Sequence, residues 1–170
     1  MILNIVLFEP EIPQNTGNIA RTCAATGAKL HLVGPMGFTI DDKKLKRAGL
    51  DYWHDVDITY YDSIADFYEK NQKNQKNQGK MYYLTTKAPR DYSEAEFEDG
   101  CYLIFGKETA GIPEEILLEN QETCLRIPMI GEIRSLNLSN SVAIVAYEAF
   151  RQDGFSHFRL EGKLTKYDWK

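Results

Sequence analysis

Three segments of the sequence combine glycine, amide and charged side chains in patterns that could bind or transform a ligand. They are residues 15–21, 103–113 and 126–140. In the first, Asn15 and its neighbours favour a turn, and such a turn before a helix directs backbone N–H groups and Arg21 toward an anion such as a phosphate. The same residues suit an Asx turn that caps a helix, with Arg21 in solvent on the first turn of that helix. Spacing alone leaves both interpretations open.

The second segment runs from an apolar stretch directly into Gly106, which is followed by Glu108 and Gly111. A glycine at the end of a strand lets another backbone or a flat ligand approach closely. Glu108 is expected near the N-terminus of the next helix, where the helix dipole favours a carboxylate. The glycines do not form a phosphate-binding P-loop, because the Lys-Ser/Thr pair of that motif is missing.

The third segment mixes apolar residues with Ser, Asn and Arg between Arg126 and Asn140. That mixture suits a pocket that holds an apolar ligand and pairs with its polar edge. It is also consistent with a strand, a loop and a last helix capped by Ser139 or Asn137.

The elements that would position these segments alternate between short apolar strands and helices. Residues 4–8 and 29–34 predict strands around a helix that ends at Gly27, and this order implies parallel pairing. Further strands are predicted at 57–61, 81–85, 101–105 and 125–127, and further helices at 41–49, at 63–69, from Pro113 and at 140–151. We therefore expect an α/β fold with a parallel sheet and ligand sites at the carboxyl ends of its strands. The polar repeat at 71–78 is expected to be a solvated loop.

The composition is that of one soluble globular domain. The chain has 170 residues, of which 43% are hydrophobic and 26% charged, and neither a membrane-spanning nor a secreted protein is expected. Three cysteines without CxxC spacing or nearby histidines favour a reducing, cytoplasmic compartment and no metal site. The net charge of −5 argues against non-specific coating of nucleic acid, although Lys43, Lys44, Lys46 and Arg47 form a local basic cluster.

The order and residues of the three segments resemble the motifs of the SPOUT methyltransferase superfamily. The matching residues are Asn15-x-Gly17-Asn18-x-x-Arg21, then Phe105-Gly106-x-Glu108-x-x-Gly111-Ile112-Pro113, then Ile127-Pro128-Met129 with Ser135-Leu136-Asn137-Leu138-Ser139. Residues 4–13 and 46–52 are similar to the TrmL (YibK-like) subgroup. The resemblance covers almost the whole chain, except for the polar repeat and the C-terminal end.

This resemblance implies a methyltransferase domain at 1–160, closed by a deep C-terminal trefoil knot, and a tail at 161–170. It implies a homodimer that uses S-adenosylmethionine, without a metal, to methylate the ribose 2′-oxygen of the wobble cytidine or uridine of tRNA. Leucine isoacceptors are the expected substrates. The implied methyl-donor pocket consists of Leu84, Thr85, Gly106, Ile127, Met129, Ser135 and Leu136. Without the resemblance, the apolar members would be read as ordinary core residues.

The resemblance gives the central catalytic role to Arg21, with Glu108 and Asn137 as its partners. Because a guanidinium keeps its proton, we expect Arg21 to hold the target phosphate and stabilise the developing alkoxide rather than to act as a base. Contacts to the anticodon stem-loop are expected from Lys43, Lys46, Arg47 and Arg134, and stacking on unpaired bases from Tyr52 and Trp53. The basic cluster is also consistent with a solvated helix face.

Two alternatives from other classes stay open, together with a 2′-O-methyltransferase that acts on another RNA site. A catalytically silent RNA-binding protein could keep the knot, although Asn15, Arg21, Glu108 and Asn137 argue against such decay. A doubly wound nucleotide-binding enzyme would carry a glycine-rich loop after the first strand, where residues 9–13 read Glu-Pro-Glu-Ile-Pro.

Overall fold

Short, buried strands form the centre of the molecule. The computed structural model describes residues 1–40, 51–72, 79–131 and 133–169, and within them seven parallel strands form one sheet in the order β3-β2-β1-β6-β4-β7-β5. Their bounds are β1 (Asn4–Phe8), β2 (Lys29–Val33), β3 (Ile58–Tyr61), β4 (Met81–Leu84), β5 (Arg90–Asp91), β6 (Tyr102–Phe105) and β7 (Cys124–Arg126). Every residue of β1 is buried, as in parallel sheets covered on both faces. The predicted α/β fold is confirmed.

Four α-helices in the described residues cover the sheet: α1 (Pro13–Thr26), α2 (Ile64–Gln72), α3 (Glu114–Glu119) and α4 (Leu138–Gln152). Short 3₁₀ segments lie at Asp51–Asp55, Tyr92–Glu94 and Gln121–Thr123. Successive strand residues face opposite sides, so Ile5 and Leu7 join the core under α1 and α4, whereas Val6 and Phe8 join the core under α2 and α3. None of the helices in the described part of the chain is long and apolar enough to span a membrane.

The predicted strands and the last helix agree with the structure to within two residues, and only the two-residue β5 was missed. The predicted helix at 41–49 lies outside the described residues. The first two residues of the polar repeat were predicted to lie in a loop, but they belong to α2, which continues to Gln72. There the side chain of Asn71 donates to the carbonyl of Phe67 at 2.8 Å and to Tyr61 Oη at 3.2 Å, which holds the last helical turn on the sheet. Residues 73–78 lie outside the described residues.

The strand order changes direction at β1. The β1–α1–β2 unit extends to one side of β1, whereas β6, β4 and β7 lie on the other side. In open α/β sheets the crevice outside the carboxyl ends of the strands at such a switch point is the usual ligand site. The loops that follow β1 and β6 therefore border the expected ligand crevice.

A neutral histidine is buried under α2. Nδ1 of His31 lies 2.9 Å from Tyr61 Oη and Nε2 lies 3.1 Å from Asn4 Oδ1. Burial lowers the pKa of His31 from 6.5 to about 4, so the ring carries no charge at neutral pH. The three cysteines are buried as well, and burial raises the pKa of Cys23 and Cys101 to about 12.

Candidate active site

A cavity of about 570 Å³ opens at the carboxyl ends of β4, β6 and β7. Its volume falls in the range of sites that enclose small ligands. Both apolar side chains and polar groups line it. All seven residues that the motif resemblance assigned to the methyl donor belong to its lining: Leu84, Thr85, Gly106, Ile127, Met129, Ser135 and Leu136.

The turn after β6 explains why residue 106 is a glycine. The N–H of Gly111 donates to the carbonyl of Lys107 at 2.8 Å, and Gly111 has a φ of 72°, so residues 107–111 fold back onto Gly106. A Cβ on Gly106 would lie 2.0 Å from the carbonyl carbon of Gly111. The close approach expected at this glycine is thus made by the chain's own backbone.

Glu108 was predicted to lie near the N-terminus of α3. In the structure it contacts the loop after β1. Its carboxylate accepts hydrogen bonds from the N–H of Glu11 at 2.8 Å and from the N–H of Ile12 at 3.1 Å. These N–H groups lie at the start of α1, where the helix dipole favours a negative charge. Ile12, the N-cap residue of α1, has no side-chain acceptor of its own, so Glu108 supplies the cap from the other loop.

α1 begins at Pro13, earlier than predicted, and ends as predicted at Gly27, whose φ is 73°. Proline is favoured at the first helical position because its φ suits a helix and no N–H is left without an acceptor. The predicted turn or Asx cap at residues 15–18 is therefore wrong, since these residues are helical. Arg21 consequently lies on the third turn, not the first.

The placement of Arg21 also separates it from the cavity of its own chain. Arg21 is exposed, whereas Asn15 is buried and lines the cavity. Six residues rotate a helix by roughly 600°, so the two side chains leave α1 about 120° apart. Arg21 does not belong to the lining that the described residues form.

Asn15 connects the other two predicted catalytic residues. Its Nδ2 donates to Glu108 Oε1 at 3.0 Å, and its Oδ1 accepts from Asn137 Nδ2 at 2.9 Å. Asn137 Oδ1 in turn accepts from the N–H of Ser139 at 2.9 Å and from its hydroxyl at 2.6 Å, and it also accepts from the N–H of Asn140. Asn137 therefore caps α4, one of the two predicted candidates for that role. The Glu108–Asn15–Asn137 chain joins all three motif segments.

Sequence reasoning did not single out Glu11 and Thr109. The carboxylate of Glu11 accepts hydrogen bonds from the N–H of Thr109 at 3.0 Å and from its hydroxyl at 2.8 Å. The available signal was an acidic residue on each side of Pro10, directly after a buried strand. In a parallel sheet such residues lie at the edge where the loops meet.

Three cationic side chains lie in the cavity lining. Lys107 Nζ pairs with Glu9 at 2.8 Å, and Lys87 pairs with Glu114. Arg134 is exposed at the rim and has no acidic partner among the residues that the structure describes. It is therefore the rim cation that remains available for an anionic substrate. The other predicted RNA contacts, Lys43, Lys46 and Arg47, lie outside the described residues, as does the side chain of Tyr52, and Trp53 is buried in the core.

The described residues contain no group of three or more His, Cys, Asp or Glu that could hold a metal ion. The polar part of the site consists of amides, hydroxyls, a carboxylate and the three cationic side chains. Such an arrangement can hold the loops in register and offer both donors and acceptors to a polar ligand.

Comparison with known proteins identifies the chain. Residues 2–147 match the SpoU rRNA methylase family. A tRNA (cytidine(34)-2'-O)-methyltransferase of Photorhabdus asymbiotica is 49% identical over 157 residues, which cover 91% of this chain and 96% of that protein. A solved structure described as giving insights into the 2-OH methylation of C/U34 on tRNA is 46% identical, with a TM-score of 0.81 over 91% of this chain and 97% of the other.

A more distant neighbour is solved with its methyl donor. The AdoMet-bound rRNA methyltransferase of Sinorhizobium meliloti is 28% identical, with a TM-score of 0.72 over 88% of this chain and 56% of that one. The family match covers the strands and loops that build the cavity, and the relatives share nearly the full length of the chain. This protein belongs to the SpoU methylase family.

Proposed function

We propose that this protein methylates the ribose 2′-oxygen of the wobble nucleotide of tRNA, C34 or U34, with S-adenosylmethionine as the methyl donor. The observation that carries the proposal is the cavity at the carboxyl ends of β4, β6 and β7, whose lining contains all seven predicted donor residues. Relatives named for this reaction at C34 share 49% of their residues with the chain, and the structure concerned with C/U34 shares 46%.

The cavity suits an adenosyl compound. Leu84, Ile127 and Leu136 offer apolar surface to an adenine ring, while Thr85 and Ser135 offer polar atoms to its edge and to the ribose. When bound, S-adenosylmethionine supplies a methyl group activated by its sulfonium. The lining residues would hold that group in a fixed position, and a fixed geometry lowers the barrier to a displacement.

Arg21 is the residue that we assign to the transition state. As the 2′-hydroxyl loses its proton, a nearby guanidinium stabilises the developing alkoxide and holds the adjacent phosphate. Arg21 lies on the outer side of α1, away from the cavity of its own chain. We therefore propose that it serves the cavity of a second copy, and that the active form is a homodimer.

Glu108 and Asn137 are the expected partners of Arg21, and their contacts support a positioning role. Glu108 accepts three hydrogen bonds from the chain itself, and Asn137 caps α4 while it contacts Asn15. We assign both to positioning: they fix α1 and α4 against the cavity.

Three further assignments belong to this proposal. Exposed Ile144 and Tyr147 on α4 (38% and 45% exposed) support an interface with the second copy. Family membership supports a methyltransferase domain at 1–160 with a knotted C-terminal part, and residues 159–169, exposed and without helix or strand, support a tail at 161–170. The tRNA substrate supports a cytoplasmic location for the protein. Arg134, at the cavity rim, is the residue that we assign to contact with the tRNA.

The test uses labelled methyl donor and leucine tRNA transcripts that differ only at nucleotide 34. Transcripts with C34 or U34 should accept one methyl group, mapped to that ribose, whereas a transcript with a 2′-deoxy sugar there should accept none. Label at another nucleotide would assign a different RNA site. Binding of both donor and tRNA without transfer would support the silent RNA-binding alternative.

A further inference from the structure

Two glutamates join the loop after β1 to the turn after β6 in opposite directions. Glu108, from the turn, accepts from the N–H groups of Glu11 and Ile12. Glu11, from the loop, accepts from the N–H and the hydroxyl of Thr109. We call the side chains of Glu11, Thr109 and Glu108 with these N–H groups the crossed clasp. Its two sides are 96 to 98 residues apart in the sequence.

We propose that Glu11 is a positioning residue, which fixes the turn at 107–111 against the start of α1. Residues 107–111 all line the cavity, and Thr109 is exposed at the tip of the turn. The hydrogen-bond acceptor for the Thr109 N–H is the Glu11 carboxylate at 3.0 Å. The position of this cavity wall therefore depends on a side chain from the neighbouring loop.

The loop that carries Glu11 is held firmly from behind, so it can serve as the anchor. The N–H of Glu9 donates to the carbonyl of Val33 at 2.7 Å, and the N–H of Gly37 donates to the carbonyl of Pro10 at 2.9 Å. A Cβ added to Gly37 would lie 3.0 Å from Glu11 Cα, which shows how closely the backbone packs there. Because this side is fixed, loss of the clasp should release the turn.

The inference rests on the proposed function for its kinetic consequence. The turn forms one wall of the proposed donor cavity, and the start of α1 contributes Ile12 and Asn15 to the same cavity. A shift of one against the other changes the geometry between the methyl group and the hydroxyl, and a misplacement of about 1 Å can cost roughly 100-fold in rate. We expect kcat to fall by roughly 10- to 100-fold in Glu11→Ala, with little change in the KM for tRNA.

Substitutions at the clasp separate hydrogen bonding from charge. Glu11→Gln keeps an oxygen that can accept from the Thr109 N–H, and its amide can donate to the Thr109 hydroxyl, which both donates and accepts. It should recover most of the activity lost in Glu11→Ala. Thr109→Val removes only the hydroxyl and should have a small effect, and that effect should vanish when combined with Glu11→Ala. Glu115→Ala, an exposed glutamate on α3, is the matched control.

Amide hydrogen exchange supplies a readout that does not depend on catalysis. In Glu11→Ala, exchange of the Thr109 amide must rise because its acceptor is removed. The informative amide is that of Ile12, whose own acceptor, Glu108, is still present. If the clasp acts as one unit, exchange at Ile12 should also rise by roughly tenfold or more, the mark of a coupling near 1.4 kcal/mol.

The outcomes distinguish this inference from the proposed function. Faster exchange at Ile12, lower kcat and rescue by Glu11→Gln would support the positioning role. Unchanged Ile12 exchange in a folded Glu11→Ala protein, or a kcat equal to that of Glu115→Ala, would overturn it. If Glu11→Ala does not fold, a full kcat in Thr109→Val together with a kcat roughly 10- to 100-fold below wild type in folded Glu11→Gln would overturn it as well. A wild-type protein that methylates no tRNA would refute the proposed function, while the exchange measurement would still decide the clasp.

Discussion

Asn15→Asp tests whether the Glu108–Asn15–Asn137 chain is as tightly matched as its distances indicate. The substitution keeps the shape of the side chain and replaces the Nδ2 donor by a carboxylate oxygen. That oxygen would lie about 3.0 Å from Glu108 Oε1, in a residue that is only 5% exposed. Two carboxylates at this distance cannot both be charged without strong repulsion, so the pair should share one proton.

The expected loss of stability follows from two limits. Two like charges about 4 Å apart repel by about 4 kcal/mol at an effective dielectric constant of 20. Holding one proton on the pair instead costs about 1.4 kcal/mol for each pH unit above an ordinary carboxyl pKa near 4. The two costs meet at about pH 7. The free energy of unfolding should therefore drop by about 1 kcal/mol at pH 5 and by about 4 kcal/mol at pH 7 and above, relative to wild type.

Urea denaturation from pH 5 to pH 8 measures this difference, and wild type measured in parallel removes the pH dependence of other groups. Asn15→Leu is the control, since it removes both side-chain hydrogen bonds of Asn15 without adding a charge. It should cost about 1–3 kcal/mol at every pH. A difference curve for Asn15→Asp that is flat over this range, or that runs parallel to the Asn15→Leu curve, would refute the shared-proton reasoning and the close contact behind it.

Three further predictions concern the core and the reaction. The pKa of His31 is lower in the folded state, about 4 against 6.5, so the unfolded chain binds the extra proton and stability falls as the pH drops below 6.5. The loss should reach about 2 kcal/mol at pH 5 and should disappear in His31→Phe, measured by urea denaturation. Gly106→Ala should lower the free energy of unfolding by about 2–3 kcal/mol, because a Cβ there meets the Gly111 backbone; an unchanged melting temperature would contradict this. Arg21→Ala should lower kcat by about 10²–10³-fold without changing donor affinity, whereas Lys46→Ala should weaken tRNA binding and reduce its salt slope by about one. Normal turnover of Arg21→Ala at saturating tRNA would exclude the role given to that residue.

The sheet and the last helix could be predicted because their signals are local. After Asn4, β1 is an uninterrupted apolar run, and the whole strand is buried, which is the pattern of a central parallel strand. α4 repeats apolar residues at helical spacing, and Val142, Val145, Ala146 and Ala149 are all buried. The short β5 escaped prediction because two residues, Arg90 and Asp91, carry no periodicity.

The start of α1 could not be predicted because its cap comes from elsewhere in the chain. Prediction from sequence expects the N-cap side chain to come from the residues at the start of the helix itself, and Asn15 and Asn18 are good candidates there. The structure instead uses Glu108, which is 97 residues from Glu11. The position of Arg21 within the helix was misjudged for the same reason, since it depends on where α1 begins.

Gly106 illustrates a residue that was correctly identified for an incomplete reason. The sequence indicated a close approach at this position, and the motif resemblance suggested that the methyl donor makes it. Gly106 does line the cavity, but the atom that excludes a Cβ belongs to Gly111. Bulky substitutions at Gly106 therefore alter the turn first, and Leu136→Ala, at a partly exposed apolar residue of the lining, is a cleaner probe of donor affinity.

The carboxylate of Glu108 determines which atom donates and which accepts in every hydrogen bond of the Glu108–Asn15–Asn137 chain. An ionised carboxylate can only accept, so Glu108 requires the amide nitrogen of Asn15 to face it, as it does at 3.0 Å. The oxygen of Asn15 must then face Asn137, which can meet it only with its own amide nitrogen. That leaves the oxygen of Asn137 for the first N–H groups of α4. The charge of Glu108, by the turn after β6, thus determines how α4 is capped, and the two long helices on this face share one polar chain whose orientation cannot be reversed at any single residue.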